Sequence, residues 1–334
     1  MATRGFFVIM FYDKNLQQRR FNLMSHEVET MAYAGAVPWH GLGFKVSDDL
    51  SPQEMMQAAG CDWRVEKLPL TYTAQDKTLT VPNKWALVRD SDGTYFDSVG
   101  NGWEPLQNED AFAFFKDFVA KGDMRMHTAG ALRGGKIVWA LAKVADTFEP
   151  VKGDEIESYI LLVNPHIRGK AIEARSTPIR VVCKNTMNFA LSTTSSRRIT
   201  VNHNQQWDED YVKTMLGLAK ESTALYAEKA EFLATKFYND ATIDDFFADV
   251  FPHSDKESEE FSKNALRAHE VLSEQPGAEL ASGTWWNAFN AVTYMTDHEM
   301  GRNVDTRLNS AWFGQNRNRK ELALQKAVEY AEAA

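Results

Sequence analysis

MRMHTAGALRGGKIVWALAKV, residues 124–144, decides the fold. Two strand-like runs flank Gly134-Gly135, a dipeptide that supplies the positive φ of a tight loop, so the stretch predicts a β-hairpin and an antiparallel sheet. Upstream, Trp63–Thr73, Thr78–Val81, Lys84–Arg89 and Tyr95–Val99 predict further strands, with a turn at Asp90-Ser91-Asp92-Gly93, in the manner of a meander. Downstream, Tyr159–Val163 and Ala171–Cys183 extend the sheet, Asn185–Leu191 predicts a helix, and Arg198–His203 a returning strand. Ser51-Pro52-Gln53-Glu54 combines an N-cap serine, proline at the first helical position and glutamate three residues after the cap; this predicts a helix that Gly60 ends. A second helix is expected over Glu109–Ala120 with Asn108 as its cap. Residues 24–50, rich in turn formers around Pro38, Gly41 and Gly43, read as irregular.

Beyond Asp208 the periodicity changes to helices alone. Val212, Leu216, Ala219, Thr223, Tyr226, Ala230, Leu233 and Phe237 alternate steps of four and three and predict one seam of a long helix. Further helices are expected over Ile243–Val250, Asp255–Ser273, Thr284–Met300 and Arg319–Ala333, separated by Pro252, Pro276-Gly277 and Gly314. The expected fold class is therefore α+β: a twisted, mainly antiparallel sheet with one or two packed helices, followed by a helical C-terminal region. The boundaries are 1–23 for an N-terminal extension, 24–207 for the mixed part with its basic strand and hairpin, and 208–334 for the helical part. The extension is set apart because Met24 opens a segment that reads like a natural start, and no small-residue cleavage site follows the apolar Phe6–Tyr12.

The 334 residues are enough to bury a core without staples, and 44% apolar with 25% charged is ordinary for a globular chain. Two cysteines, Cys61 and Cys183, make no disulfide framework and fit a reducing cytoplasm. No run of about 18 apolar residues predicts a transmembrane helix, so no membrane partner is expected.

Charge is segregated along the chain. Met124–His203 holds 12 Lys and Arg against 6 Asp and Glu, or +6, whereas the remainder holds 25 against 40, or −15, which together give the net −9. Such segregation marks a site for an anion, of which nucleic acid is the commonest large one. Within Thr177–Asn188 alternation sets Ile179, Val181 and Cys183 on an apolar face and Arg180 and Lys184 on a basic one. Together with Arg168, Lys170, Arg175, Arg197 and Arg198 these predict a groove that tracks a phosphate backbone, with Asn185 at a helix start offering donors to an anion. Arg133 and Lys136 at the hairpin tip are a second basic element. Trp39, Tyr95, Trp103 and Trp139 lie near this region as aromatics able to stack on bases, although core packing is the commoner use of such rings.

Catalytic chemistry finds no residue set. The Gly-Lys-Ser/Thr pattern of nucleotide hydrolases is absent. His40, His127, His166 and His203 lack ligand spacing, and Asp297-His298-Glu299 read as helix-surface polarity, so no metal, cofactor or catalytic residue is expected. Cys183 sits on the apolar face, where a buried small side chain is the default rather than a nucleophile.

Several motifs, Pro38-Trp39-His40-Gly41-Leu42-Gly43, Pro105-Leu106-Gln107-Asn108, Gly130–Gly135, Thr177–Thr186, Asn290-Ala291-Val292-Thr293 with His298, and Phe313-Gly314, resemble in order the phage and plasmid-like proteins of the domain of unknown function 932 family. The resemblance runs from about Met24 to the C-terminus. It implies a mobile-element origin, and with it the cytoplasm of a bacterial host, and no established activity. In the stretch before Thr177 the family pattern has a His-Asp-Gly-like turn, whereas this chain has His166-Ile167-Arg168-Gly169-Lys170, which is more basic. The expected function is a non-enzymatic, self-associating protein that binds single-stranded DNA or other nucleic acid in recombination or replication. A protein-interaction or host-takeover factor acting through the helical region, and a metal-dependent nuclease, are the alternatives.

Overall fold

The computed structural model describes residues 28–35, 42–180, 185–186, 198–208, 224–253, 261–301, 307, 310–311 and 314–333. It is a mixed α+β fold, with a mostly antiparallel sheet in the N-terminal half and helices in the C-terminal half. Residues 1–23 and the upstream part of the predicted seam, Val212–Thr223, lie outside the described residues.

Among the described residues eight strands form one large sheet. They are β1 (Val28–Tyr33), β2 (Phe44–Lys45), β6 (Met124–Leu132), β7 (Ile137–Phe148), β8 (Ile156–Pro165), β9 (Ile172–Arg180), β10 (Asn185–Thr186) and β11 (Arg198–Val201). The order is β10-β9-β8-β7-β6-β1-β2, with β11 also on β9. A second sheet, β3 (Val65–Ala74), β4 (Lys77–Arg89) and β5 (Tyr95–Val99), is the expected meander. Its β3–β4 hairpin is longer than predicted because Thr78–Val81 and Lys84–Arg89 form one strand, interrupted between the pairs Pro69↔Trp85 and Thr71↔Thr80.

The hairpin around Gly134-Gly135 forms as expected, with Leu132 paired to Ile137. The irregular reading of residues 24–50 is corrected, for β1 lies in the large sheet between β6 and β2. Its place depends on Gly130, which pairs with Met31. A Cβ there would stand 2.4 Å from the Thr30 carbonyl oxygen, so the two backbones approach closer than any side chain allows.

Both faces of the large sheet are covered. One carries Met124, Ala129, Val138, Ala140, Ile160, Leu162 and Ala174, and packs on α1 (Pro52–Ala58), α2 (Asn108–Ala113), α3 (Lys116–Ala120) and the second sheet through Met55, Phe112, Phe115, Leu87 and Phe96. The other gathers Tyr33, Trp139, Leu141, Tyr159, Leu161 and Val163 with Ala311. Helix α1 begins as the sequence predicts: the Ser51 hydroxyl accepts from Glu54 N and Glu54 accepts from Ser51 N. Glu109–Ala120 is two short helices rather than one. Asn108 is not a side-chain cap either, because its amide is buried in the contacts described below.

The predicted helix at Asn185 does not start there. Asn185 and Thr186 pair antiparallel with Arg180 and Ile179, so the chain reverses onto β9; Met187–Leu191 lie outside the described residues. In the C-terminal half α4 (224–235), α5 (Asp240–Val250), α6 (Lys263–Glu274), α7 (Trp285–Tyr294) and α8 (Gln315–Ala333) surround a second core. Tyr226, Ala230 and Leu233 are buried as the seam requires, but Phe237 has left the helix and bridges to Thr284. Every residue of α7 from Trp285 to Thr293 is buried, which makes it the central helix. The Trp286 indole donates to Asp154 Oδ2 at 2.8 Å and so ties α7 to the β7–β8 loop.

Two glycines of the hairpin separate two physical costs. Gly134→Ala meets no atom within 4 Å and strains only a φ of +67°, so it is expected to lose about 1 kcal/mol. Gly130→Ala must part β1 from β6 and is expected to lose about 3 kcal/mol or more. Chemical denaturation of both variants checks this, and equal losses would refute the close approach.

Candidate nucleic-acid interface

The β6–β7 and β8–β9 turns lie at the same end of the large sheet, because Ile137 pairs with Pro165. A backbone bond from His166 N to the Lys136 carbonyl, 2.8 Å, closes one turn on the other. Arg133, Gly134 and Gly135 all have positive φ. Gly135 needs to be glycine for a further reason: a Cβ would stand 2.8 Å from Arg89 Nη1 and 3.2 Å from Phe96 Cε1. The β8–β9 turn is pinned by Arg168 N, which donates to Asp97 Oδ2 of β5 at 2.8 Å. Arg133, Arg168 and Lys170 are exposed, and Lys136 is half-buried.

The acids beside these turns are engaged. Arg89 lies beneath Gly135 and binds Glu29 at 3.0 Å and Asp92 at 2.8 Å, with its guanidinium 5.3 Å from the centre of the Trp63 ring. The Arg89 hydrogen bond holds the Asp92 carboxyl well below the usual carboxylate range. Asp97 is taken up by the Arg168 amide. Four cations from two turns thus share one end of the sheet, beside carboxylates that Arg89 and the Arg168 amide engage.

Under this end lies a buried polar latch. Asn108 Nδ2 donates to the carbonyls of Cys61, 3.0 Å, and Trp63, 3.3 Å. Its Oδ1 accepts from Asn164 Nδ2 at 3.2 Å and faces His166 Nε2 at 3.0 Å. An amide oxygen only accepts, so Nε2 of His166 carries the proton and its Nδ1, buried without a hydrogen bond, is the bare nitrogen. The Phe96 ring stacks on His166, and Gln107 accepts from Val65 N and donates to Val65 O as a neighbouring strand would. Burial, with His203 nearby, pushes the His166 pKa down to about 3. His203 itself donates from Nδ1 to the Glu104 carbonyl at 3.0 Å and stacks on Trp103.

The other predicted residues fall elsewhere. Arg175 is buried on the covered face of β9, 3.3 Å from Glu173. There the sheet meets the helical region: Arg317 of α8 approaches Glu173 at 3.6 Å, and Lys320 pairs with Asp297 at 2.5 Å with both side chains buried. Burial pushes the Lys320 ammonium down from its ordinary range. Asp297 therefore does not belong to a polar helix surface, and Glu299 is bound by Arg267 at 2.8 Å. The backbone of Arg198 pairs with that of Arg175. Arg180 and Asn185 pair at the far end of β9, about 26 Å along the strand from Ile172 at about 3.3 Å per residue. Lys184 and Arg197 lie outside the described residues, as do Trp39, His40 and Cys183. The sequence-derived set is thus brought together at Arg133, Lys136, Arg168 and Lys170 and dispersed at its other described members. Sequence reasoning missed the Asn108–His166 latch and the Glu173–Lys320 cluster. No group of three His, Cys, Asp or Glu side chains gathers as a metal site among the described residues, and no described helix is long and apolar enough to cross a membrane.

A family model described as a domain of unknown function, DUF932, matches residues 95–318. The chain belongs to that family. No curated protein and no solved structure matches it. The DUF932 match runs from Tyr95 of β5 into α8 and so covers both basic turns, His166 and α7, while Pro38–Gly43 falls before it. Within it the Pro105–Asn108 motif is accounted for by the latch, and Gly130–Gly135 by close backbone approach and positive φ.

The latch has a pH signature. His166 in the folded chain takes a proton near pH 3, against about 6.5 in the unfolded chain. Its contribution to stability is complete above pH 6.5 and declines as the pH falls toward 3. Thermal melts over that window are expected to show His166→Gln losing less stability on acidification than wild type, and parallel curves would remove His166 as the cause.

Proposed function

We propose that this DUF932 chain binds nucleic acid at the basic end of its large sheet, favours single strands, and serves recombination or replication of a phage or plasmid without catalysing a reaction. The observation that carries the reading is the junction of two turns, residues 133–136 and 166–171, which gathers the exposed Arg133, Arg168 and Lys170 and the half-buried Lys136 at one end of the sheet. Phosphates bind such a surface by displacing counterions, which needs no active site. The chain's net charge of −9 makes the local excess of cations selective rather than general.

Self-association belongs to the same reading. The β3–β4 hairpin extends away from its third strand and shows Leu68, Tyr72 and Leu79 to the surface, with Tyr72 and Leu79 directly opposite each other. A two-stranded ribbon does not cover such a face by itself, and a repeated subunit would lengthen the cationic surface along a strand of nucleic acid.

Anisotropy of labelled oligo(dT) over a salt series tests the reading. Affinity is expected to fall steeply with salt. The Arg168→Ala, Lys170→Ala double variant is expected to bind more weakly, with a log-log slope shallower by about 1.4, because each phosphate neutralised on a single strand accounts for about 0.7 of the slope. Absence of binding at low salt would overturn the proposal.

A further inference from the structure

We propose that Tyr95 is a base-stacking residue and that it sets the preference of the basic end for unpaired strands over duplex; the inference rests on the nucleic-acid reading above. Tyr95 is 52% exposed, although it lies in β5 with its backbone paired to Val88. Its neighbour Phe96 is 1% exposed and turns inward onto His166 and the Gly135 turn. The pairing of β4 with β5 slips at Phe96, where Leu87 faces Asp97 but Val88 faces Tyr95, and at this bulge Phe96 turns inward while Tyr95 stays in solvent. Asp97 holds the amide of Arg168 at 2.8 Å. Two residues, about 7 Å of extended backbone at most, separate Tyr95 from Asp97. The exposed ring thus stands on the strand whose next two residues meet the cationic turns, Phe96 against Gly135 and Asp97 on the Arg168 amide.

The other described aromatics weighed for stacking are otherwise occupied. Trp139 is buried in the core, and Trp103 stacks on His203 with ring centres 4.1 Å apart. Tyr95 has a ring face in solvent and a backbone fixed by a strand pair, so it loses little freedom when a base stacks on it. Every base offers a π face, which makes such a contact tolerant of sequence. In a duplex those faces are already stacked on their neighbours and only phosphates remain for the cations. The same end then binds single strands through two kinds of contact and duplex through one.

The test compares wild type, Tyr95→Ala and Tyr95→Phe on labelled oligo(dT), on oligo(dT) annealed to oligo(dA), and on an abasic oligonucleotide of equal length, all at low salt. Tyr95→Ala is expected to weaken oligo(dT) binding by about 5- to 150-fold. Its duplex and abasic affinities should stay as in wild type, and Tyr95→Phe should bind as wild type does. Tyr95→Ala with unchanged oligo(dT) binding, while the Arg168→Ala, Lys170→Ala variant weakens all three probes, would overturn the stacking role and leave the basic end standing. Equal loss on all three probes by Tyr95→Ala would also overturn it. If wild type binds none of the probes, the nucleic-acid reading fails and the inference with it.

Discussion

Burial of the large sheet on both of its faces is the constraint from which the rest of the molecule follows. Antiparallel sheets commonly leave one face to water, with apolar and polar residues alternating along each strand. Here β8 is buried at every position from Ser158 to Pro165, because α1 to α3 and the second sheet take one side and the C-terminal half reaches the other. Polar side chains on those faces must then find partners inside. Glu173, Arg175, Arg317, Asp297 and Lys320 meet that requirement where the sheet joins the helices, and Lys143, Glu157 and Tyr159 meet it nearer the other end of the strands. The turns at the margin of the sheet carry Arg133, Lys136, Arg168 and Lys170.

The latch beneath those turns joins parts of the chain that local sequence keeps far apart. One amide, Asn108, binds the loop after α1, the end of β8 and the imidazole at the start of the next turn. A buried neutral histidine suits this place because one nitrogen donates while the other asks for nothing, and an imidazolium would be costly to desolvate. The rigidity of the Arg168 turn is thus a property of uncharged hydrogen bonding below it. The cations above add little repulsion to that core because Arg89, Glu29 and Asp92 form a neutralising layer between.

Much of the architecture was legible because it is local. The Gly134-Gly135 turn, the Ser51–Glu54 capping box and the buried triplet Tyr226, Ala230 and Leu233 each follow from a few neighbouring residues. Strand β1 was not, since Val28-Glu29-Thr30-Met31-Ala32-Tyr33 has no clear alternation and its polar members are claimed by distant groups, Glu29 by Arg89 and Thr30 by the Ala59 carbonyl. Asn185-Thr186 looks like a helix start only while its pairing partner on β9 is unknown. The candidate site divides in the same way. Arg133, Lys136, Arg168 and Lys170 could be picked out as cations, but their nearness depends on β7 lying beside β8. Arg175 shares the parity of Ile179, a residue of the apolar face, so its burial was within reach of the alternation argument.

The pairing of β1 with β6 has a consequence for how the molecule is made. Met31 emerges from the ribosome about a hundred residues before Gly130, the partner it needs. The β6–β9 meander joins neighbours in sequence and closes only short loops, so it is free to form first. Through that interval β1 lacks its long antiparallel partner and has only the two-residue β2 beside it, so its docking becomes a late step in which Gly130 leaves the gap open for an arriving strand. Nascent chains arrested before Gly130 would then be the form of this protein that calls most on holdase chaperones.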